Sequence, residues 1–344
     1  MIENKNTNHQ AKSKRLGGIL AISISIGLLF YLMSGLDWSR VAEVLKSTDP
    51  YPILLTFIIL LIGTLIRAYR WKLLLNSRCK FMDLFDSLNI GNLATMILPL
   101  RAGEFIRPYL WARFSGETFG RGFGSVVLER VFDVFGLFVI FLLFVPSTST
   151  IPEYLQLGAK ALGAIAGIIG LASIFCLLFP NKARSILNVI CNISLLPRAM
   201  AEKIRALGEE LIVGLTNIGS LYMLMAILAL TILIWFSYLM GFYLVLYSLD
   251  PSQSSLMKAG LICVFISLCV AAPSAPGFLG TYQLGCKLSL VGVFAYTEEF
   301  SIGYSLIGHF LQYASIFLLG FLSLLLRGLK FSSLKSASNQ SLAQ

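Results

Sequence analysis

Charge is what this chain has least of. Only 13% of its 344 residues are Asp, Glu, Lys or Arg, against 57% hydrophobic residues and a mean hydropathy of +0.80. A soluble domain carries roughly 25% charged residues, so the scarcity excludes an ordinary soluble fold and predicts an all-α polytopic membrane protein. Each crossing uses about 20 apolar residues, which leaves no room within this length for a separate soluble catalytic domain. Histidine is nearly absent, with His9 in a polar stretch and His309 in an apolar one. The six cysteines at 79, 176, 191, 263, 269 and 286 form no C-x-x-C pair. Neither a metal centre, nor a disulfide framework, nor any other cofactor is expected. The chain has no G-x-x-x-x-G-K-[ST] loop, no G-x-S-x-G elbow and no nucleophile set against histidine. ATP-driven transport and the common hydrolase chemistries lose their usual signatures, and catalysis is not expected.

What charge there is lies mostly beside apolar runs. The net charge of +10 would suit nucleic acid, but basic residues flanking spans are where anionic lipid headgroups attract them. Membrane lipids, and no nucleic acid, are therefore the expected partners. Lys5, Lys12, Lys14 and Arg15 precede an apolar run over 16–33, so a basic tail over 1–15 is placed in the cytoplasm. That run is read as an uncleaved helix, since it is long and no small-x-small site closes it. Further crossings are predicted at about 51–68, 123–145, 156–179, 221–249 and 300–326, six in all. A surface amphipathic helix is predicted over 197–215, with Ile204, Leu207, Leu211 and Leu215 on one face and Lys203, Arg205, Glu209 and Glu210 on others. The single membrane domain ends near 330, before a disordered cytoplasmic tail over 331–344. Both termini fall on the cytoplasmic side of the cell (inner) membrane.

Two segments do not fit as single crossings. Residues 81–104 have basic, cytoplasm-seeking flanks at both ends, and residues 256–297 run from Asp250 to Glu298 and Glu299, both suited to the outside. The first is too short to cross twice, so a re-entrant hairpin is predicted; the second is either a deep hairpin or two short crossings. Both share a form, an apolar run interrupted by Pro and Gly: Pro99 and Gly103 in the first, Pro273, Pro276, Gly277 and Gly280 in the second. Such breaks persist in lipid only where protein or a watery cavity satisfies the freed backbone groups. Paired broken helices in an inverted arrangement point to a transporter's binding site. The plainer alternative is that both breaks merely kink helices for packing.

The remaining charges sit close to the first break. Arg101, Glu104 and Arg107 follow it, and Glu129, Arg130 and Asp133 lie within five residues of the next apolar helix. Each such charge at the bilayer centre costs roughly 2.5–3.5 kcal/mol, so Glu129, Arg130 and Asp133, three within five residues, should face protein, water or substrate. On one reading they are a salt-bridge lock between that helix and the first hairpin. On the other, Arg101 and Arg107 form a cationic floor at the hairpin mouth for a phosphate headgroup, Glu104 orients an arginine or relays a proton, and Glu129 and Asp133 supply counter-charge. Asp83, Asp86, Asn89 and Asn92, spaced by three, would line a wet path.

Four stretches, R67-A-Y-R-W-K72, L98-P-L-R-A-G-E-F-I-R107, S125-V-V-L-E-R-V-F-D133 and P276-G-F-L-G280, resemble the marks of the lysylphosphatidylglycerol synthase transmembrane family, the flippase-like domain of the multiple peptide resistance factor. The likeness covers about residues 15 to 330. It implies roughly eight membrane elements in an inner-membrane domain associated with moving polar lipids between leaflets, found fused to an aminoacyl-transferring domain or alone. In the last motif this chain has Phe278 and Gln283 where members commonly carry a second glycine and an acid. Gln283 is then a neutral hydrogen-bonding substitute.

The expected function is a lipid flippase or transporter, downhill or ion-coupled, acting on a polar, anionic or lipid-linked headgroup. Its site would be drawn from Asn92, Arg101, Glu104, Arg107, Glu129, Arg130, Asp133, Gly277, Gly280 and Gln283. A non-catalytic scaffold docking a cytoplasmic or membrane enzyme of envelope-lipid or lipid-linked glycan synthesis is one alternative. An intramembrane lipid-modifying enzyme using Glu129 and Asp133 is the other.

Overall fold

A computed structural model of the chain describes residues 25–98, 101–144, 179–192, 197–216, 220–271 and 275–329, with isolated positions besides. Among the described residues every regular element is a helix and none is a strand. Residues 25–33 are helical. After them come α1 (Trp38–Lys46), α2 (Pro50–Leu75), α3 (Phe81–Ile97), α4 (Gly103–Ser115), α5 (Phe119–Phe144), α6 (Pro180–Cys191), α7 (Arg198–Thr216), α8 (Leu221–Leu249), α9 (Leu256–Ala271), a short 3₁₀ turn (Pro276–Phe278), α10 (Thr281–Leu290) and α11 (Glu298–Leu326).

Helices α2, α8 and α11, of 26, 29 and 29 residues, are long and apolar enough to cross a membrane. At 1.5 Å per residue each exceeds the hydrocarbon core of about 30 Å. Helix α5 has the length, 26 residues, but carries Arg121, Glu129, Arg130 and Asp133. The start of the run predicted over 16–33, most of that over 156–179, and the tail over 331–344 lie outside the described residues, as do Pro99 and Pro273. The loop between the first two predicted crossings is not plain coil: α1 forms there, with Asp37 as its N-cap accepting from the Ser39 and Arg40 N–H groups. Helix α6 is a further element between the crossing predicted to end near 179 and the amphipathic helix predicted from 197. The predicted amphipathic helix is α7.

The first interrupted segment extends beyond its predicted bound at Glu104. Helix α3 stops at Ile97, the chain turns through Arg101 with φ of 53°, and Gly103 opens α4 rather than standing in the break. A Cβ on Gly103 would collide with the Gly91 carbonyl oxygen and with Thr95, so α4 starts pressed against α3. Leu84 and Leu88 on α3 share a buried cluster with Trp111 on α4. Gly103 thus lies beside 91–95 and Trp111 beside 84–88, which makes the pair antiparallel. Arg101 consequently occupies the turn between α3 and α4, rather than the open end of the pair where the sequence reading put it.

The second segment is also a helix pair. Helices α9 and α10 have 16 and 10 residues, reaching about 24 and 15 Å, so neither alone spans the core. A Cβ on Gly285 of α10 would lie 2.6 Å from the Ile266 Cα on α9; glycine here permits near backbone contact, the usual basis of helix association in lipid. The two ends of the segment meet. Lys258 Nζ donates to the Tyr296 hydroxyl at 3.1 Å, and that hydroxyl donates to Asp250 at 3.1 Å. Burial and the charge of Asp250 push the Tyr296 phenol up to about 12, keeping it a donor. Burial raises the Asp250 carboxyl, but hydrogen bonds from Ser252, Gln253 and Tyr296, with the charge of Lys258, outweigh it and hold the carboxyl below its usual value.

The chain divides into two compact units: residues 1–60, 91–103 and 239–321, and residues 61–90, 104–238 and 322–344. The core of the first joins Val245, Leu246, Ile262, Ile266, Tyr282, Cys286 and Tyr304. In the second, Trp71 and Trp111 are fully buried with ring centroids 6.3 Å apart, and Gly136 lets Trp235 lie directly against the α5 backbone.

Replacing Gly285 with valine forces α9 and α10 apart and should cost about 1–3 kcal/mol as overpacking, read as a lower unfolding temperature in detergent; an unchanged temperature would refute the close contact. For Asp250, a depressed folded pKa contributes stability above the unfolded value near about 3.9, lost as pH falls through the folded value. The gap in unfolding temperature between wild type and Asp250→Asn should therefore be present at neutral pH and close in acid. A gap constant with pH would contradict that linkage.

Candidate functional site

At the tip of the second pair, the backbone leaves the helix and its polar groups need new partners. Gly277, Phe278 and Gly280 all have positive φ, of 69°, 62° and 85°; glycine adopts this readily, while Phe278 is held there at a cost. Three side chains close the turn. The Gly280 N–H donates to Gln283 Oε1 at 2.9 Å, Gln283 Nε2 lies 3.1 Å from His309 Nδ1, and His309 Nε2 lies 2.9 Å from the Gly277 carbonyl. Those contacts form one consistent donor chain if His309 is neutral with its proton on Nε2. Tyr313 also donates to the Gly277 carbonyl, at 3.1 Å, and Tyr282 stacks on the His309 ring at 4.5 Å. The Ala275 N–H donates to Ser25 at 2.8 Å.

Arg101 joins this group. Its guanidinium donates to the carbonyl of Val270, in the last turn of α9, where carbonyls lose their intrahelical partners and a cation suits the helix dipole. The same guanidinium lies 5.2 Å from the Phe278 ring centroid. The two tip residues in the left-handed region that are not glycine, Arg101 and Phe278, are thus in contact with each other. Both interrupted segments meet at their tips.

The second group centres on Glu129, whose side chain has no solvent exposure. Its oxygens face Arg67 and Arg70, each at 3.3 Å, and Arg107 in a short charged contact. Asp133 takes Arg70 at 2.7 Å and Arg130 at 3.3 Å. Arg70 also donates to Thr231 at 3.1 Å, and Arg107 lies over the Trp71 ring, 3.8 Å from its centroid. Trp71 in turn donates its indole N–H to Ser125 at 2.8 Å. Removing one partner from a buried ion pair costs about 3–5 kcal/mol because the other charge is stranded. Glu129 therefore fixes α2, α4 and α5 to one another. Glu104 lies within electrostatic reach of Arg130.

Of the residues singled out from sequence, Arg107, Glu129, Arg130 and Asp133 come together with Glu104 nearby, while Arg101, Gly277, Gly280 and Gln283 belong to the tip group. Pro276 opens the 3₁₀ turn, and Asn92 is half-buried on α3. The polar row on α3 is largely engaged. Asp83 and Asp86 both pair with Arg327, at 2.8 and 2.5 Å, and Asn89 donates back to the Phe85 carbonyl. Arg67 and Arg70 enter the sequence reading within the first motif, just inside the end of a predicted crossing, and without a carboxylate partner, and His309 as a lone histidine. Their spacing of three within R67-A-Y-R70, on a helix that runs to Leu75, was the available signal that they share a face.

The sequence profile described as the lysylphosphatidylglycerol synthase TM region matches residues 18–320. A UPF0104 membrane protein of Methanocaldococcus jannaschii is 27% identical over 183 residues, covering 52% of this chain and 54% of that protein. Glycosyltransferase AglD of Haloferax volcanii is 25% identical over 125 residues, 36% of this chain and 20% of that protein. The chain thus spans about half or less of these relatives' lengths. No solved structure matches it. With the profile covering most of its length and all four motifs, the chain belongs to the lysylphosphatidylglycerol synthase transmembrane-region family of membrane proteins.

Proposed function

We propose that the chain is an integral transporter carrying a lipid with a polar or anionic headgroup between leaflets, without altering it chemically. One observation carries this reading, the surplus of guanidinium around Glu129. Among the described residues, Arg67, Arg70, Arg107 and Arg130 face Glu129, Asp133 and Glu104, four against three, and the Arg130 and Arg67 side chains stay 44% and 19% exposed. A lock needs no surplus. A phosphate headgroup supplies the missing anion and matches the forked donors of arginine.

A headgroup crossing hydrocarbon unaided loses several kcal/mol per unpaired polar group, and a lined path removes that barrier. On this reading the two helix pairs are re-entrant hairpins entering from opposite faces, six helices cross the cell membrane, and both termini are cytoplasmic. Arg101, Asn92, Gly277, Gly280 and Gln283 then form the wall of the path where the hairpin tips touch. A second reading, a scaffold for an enzyme of lipid-linked glycan synthesis, draws on the similarity to a protein named as a glycosyltransferase.

Purified protein in phosphatidylcholine vesicles should expose a fluorescent phosphatidylglycerol to an impermeant quencher from both leaflets. Arg130→Gln removes the surplus while leaving Glu129 its three partners, and should slow exchange about tenfold, the equivalent of about 1.4 kcal/mol. Translocation equal to wild type in Arg130→Gln would remove the site; none in the wild type would favour the scaffold, and a chemically changed probe an enzyme.

A further inference from the structure

A cavity of about 420 Å³ opens beside the C-terminal end of α2, lined by Leu74 and Leu75, by Gly120, Arg121, Gly124 and Ser125 of α5, and by Glu209, Val213 and Gly214 of α7. All of these residues belong to one compact unit. The volume lies within the roughly 300–1,000 Å³ of small-molecule sites and equals about fourteen water molecules at ~30 Å³ each. Its walls are mostly leucine, valine and glycine backbone. The end of a membrane-length helix and the start of α5 place it where headgroup and first acyl carbons of a lipid meet.

Two charges of opposite sign enter the lining from different helices. Arg121 is anchored by Glu117 at 2.9 Å and by the Leu75 and Asn76 carbonyls, and Glu209 by Arg184 at 3.2 Å. Glu117 and Arg184 lie outside the lining and hold their partners at the rim, where the Arg121 and Glu209 side chains stay 38% and 40% exposed and are not paired to one another. A purely anionic occupant would meet the carboxylate unfavourably, and a purely cationic one the guanidinium. We infer that the cavity binds a phospholipid with a zwitterionic phosphoethanolamine headgroup, its phosphodiester toward Arg121, its ammonium toward Glu209, and its first methylenes against Leu74, Leu75 and Val213.

This site stands apart from the arginine group proposed for transport, and labelling it needs no movement between leaflets. The protein is placed in phosphatidylcholine vesicles containing either phosphatidylethanolamine or phosphatidylglycerol, each bearing the same photoreactive group near the start of one acyl chain. The expected adducts map to peptides containing Leu74, Leu75 and Val213, several-fold more with the ethanolamine probe. Glu209→Gln should abolish that preference, and Val213→Trp should reduce labelling there by both probes. Gly120→Leu, at a position whose added Cβ meets nothing within 4 Å, repeats the filling test should Val213→Trp fail to fold. Equal labelling by the two probes, or adducts unchanged when the cavity is filled, would overturn the assignment.

Discussion

An ionised carboxylate with no access to water has to be matched by cations on all sides. Glu129 meets this demand with guanidinium groups from α2 and α4, and it sits in the middle of α5. Hydrophobic burial gives little drive for helices to associate in lipid, where the tails are as apolar as leucine. Polar contacts of this kind and close glycine packing carry the specificity instead. The Trp71 ring beneath Arg107, the Thr231 hydroxyl on Arg70 and the Ser125 hydroxyl on Trp71 all follow from satisfying the donors brought in to neutralise one acid.

The helix tips obey the same rule for backbone groups. Where α9 ends, the Val270 carbonyl would be orphaned; Arg101 supplies a donor from the other pair. Where α10 begins, Gln283 takes the Gly280 N–H and passes the chain of hydrogen bonds to His309 and back to Gly277. Irregular backbone among apolar helices is stable only with such partners, so each break predicts a polar companion, though not its identity.

That distinction separates what the sequence makes legible from what it hides. Breaks are local: proline, glycine and the end of an apolar run mark 98–103 and 272–280 without knowledge of anything distant. Partners are not local. Arg67 and Glu129 are 62 residues apart, Arg101 and Val270 are 169, and Arg327 and Asp86 are 241. The positive-inside rule reads Arg67, Arg70 and Arg327 as flanking charges because it counts residues along the chain. It has no view of the carboxylates folded against them. The tip position of Arg101 was missed for a related reason: the apolar run ends at Leu100, but the second helical arm continues through a charged sequence whose paired charges no longer behave as water-seeking ones.

The two polar groups also differ in what they leave available. The Gly280, Gln283, His309 and Gly277 chain begins at a donor and ends at an acceptor with each intermediate group used once, and Gln283 is only 5% exposed. Such a closed chain holds a shape and offers little to a ligand. Around Glu129, by contrast, the Nε atoms of Arg70 and Arg107 lack hydrogen-bond partners among the described residues, and Arg130 keeps much of its surface open. Unspent donors and excess positive charge in one place are what an anion would relieve. If the chain meets a charged headgroup, chemistry concentrates recognition at the arginines, because the donors and acceptors of the tip group are already spent on its own backbone.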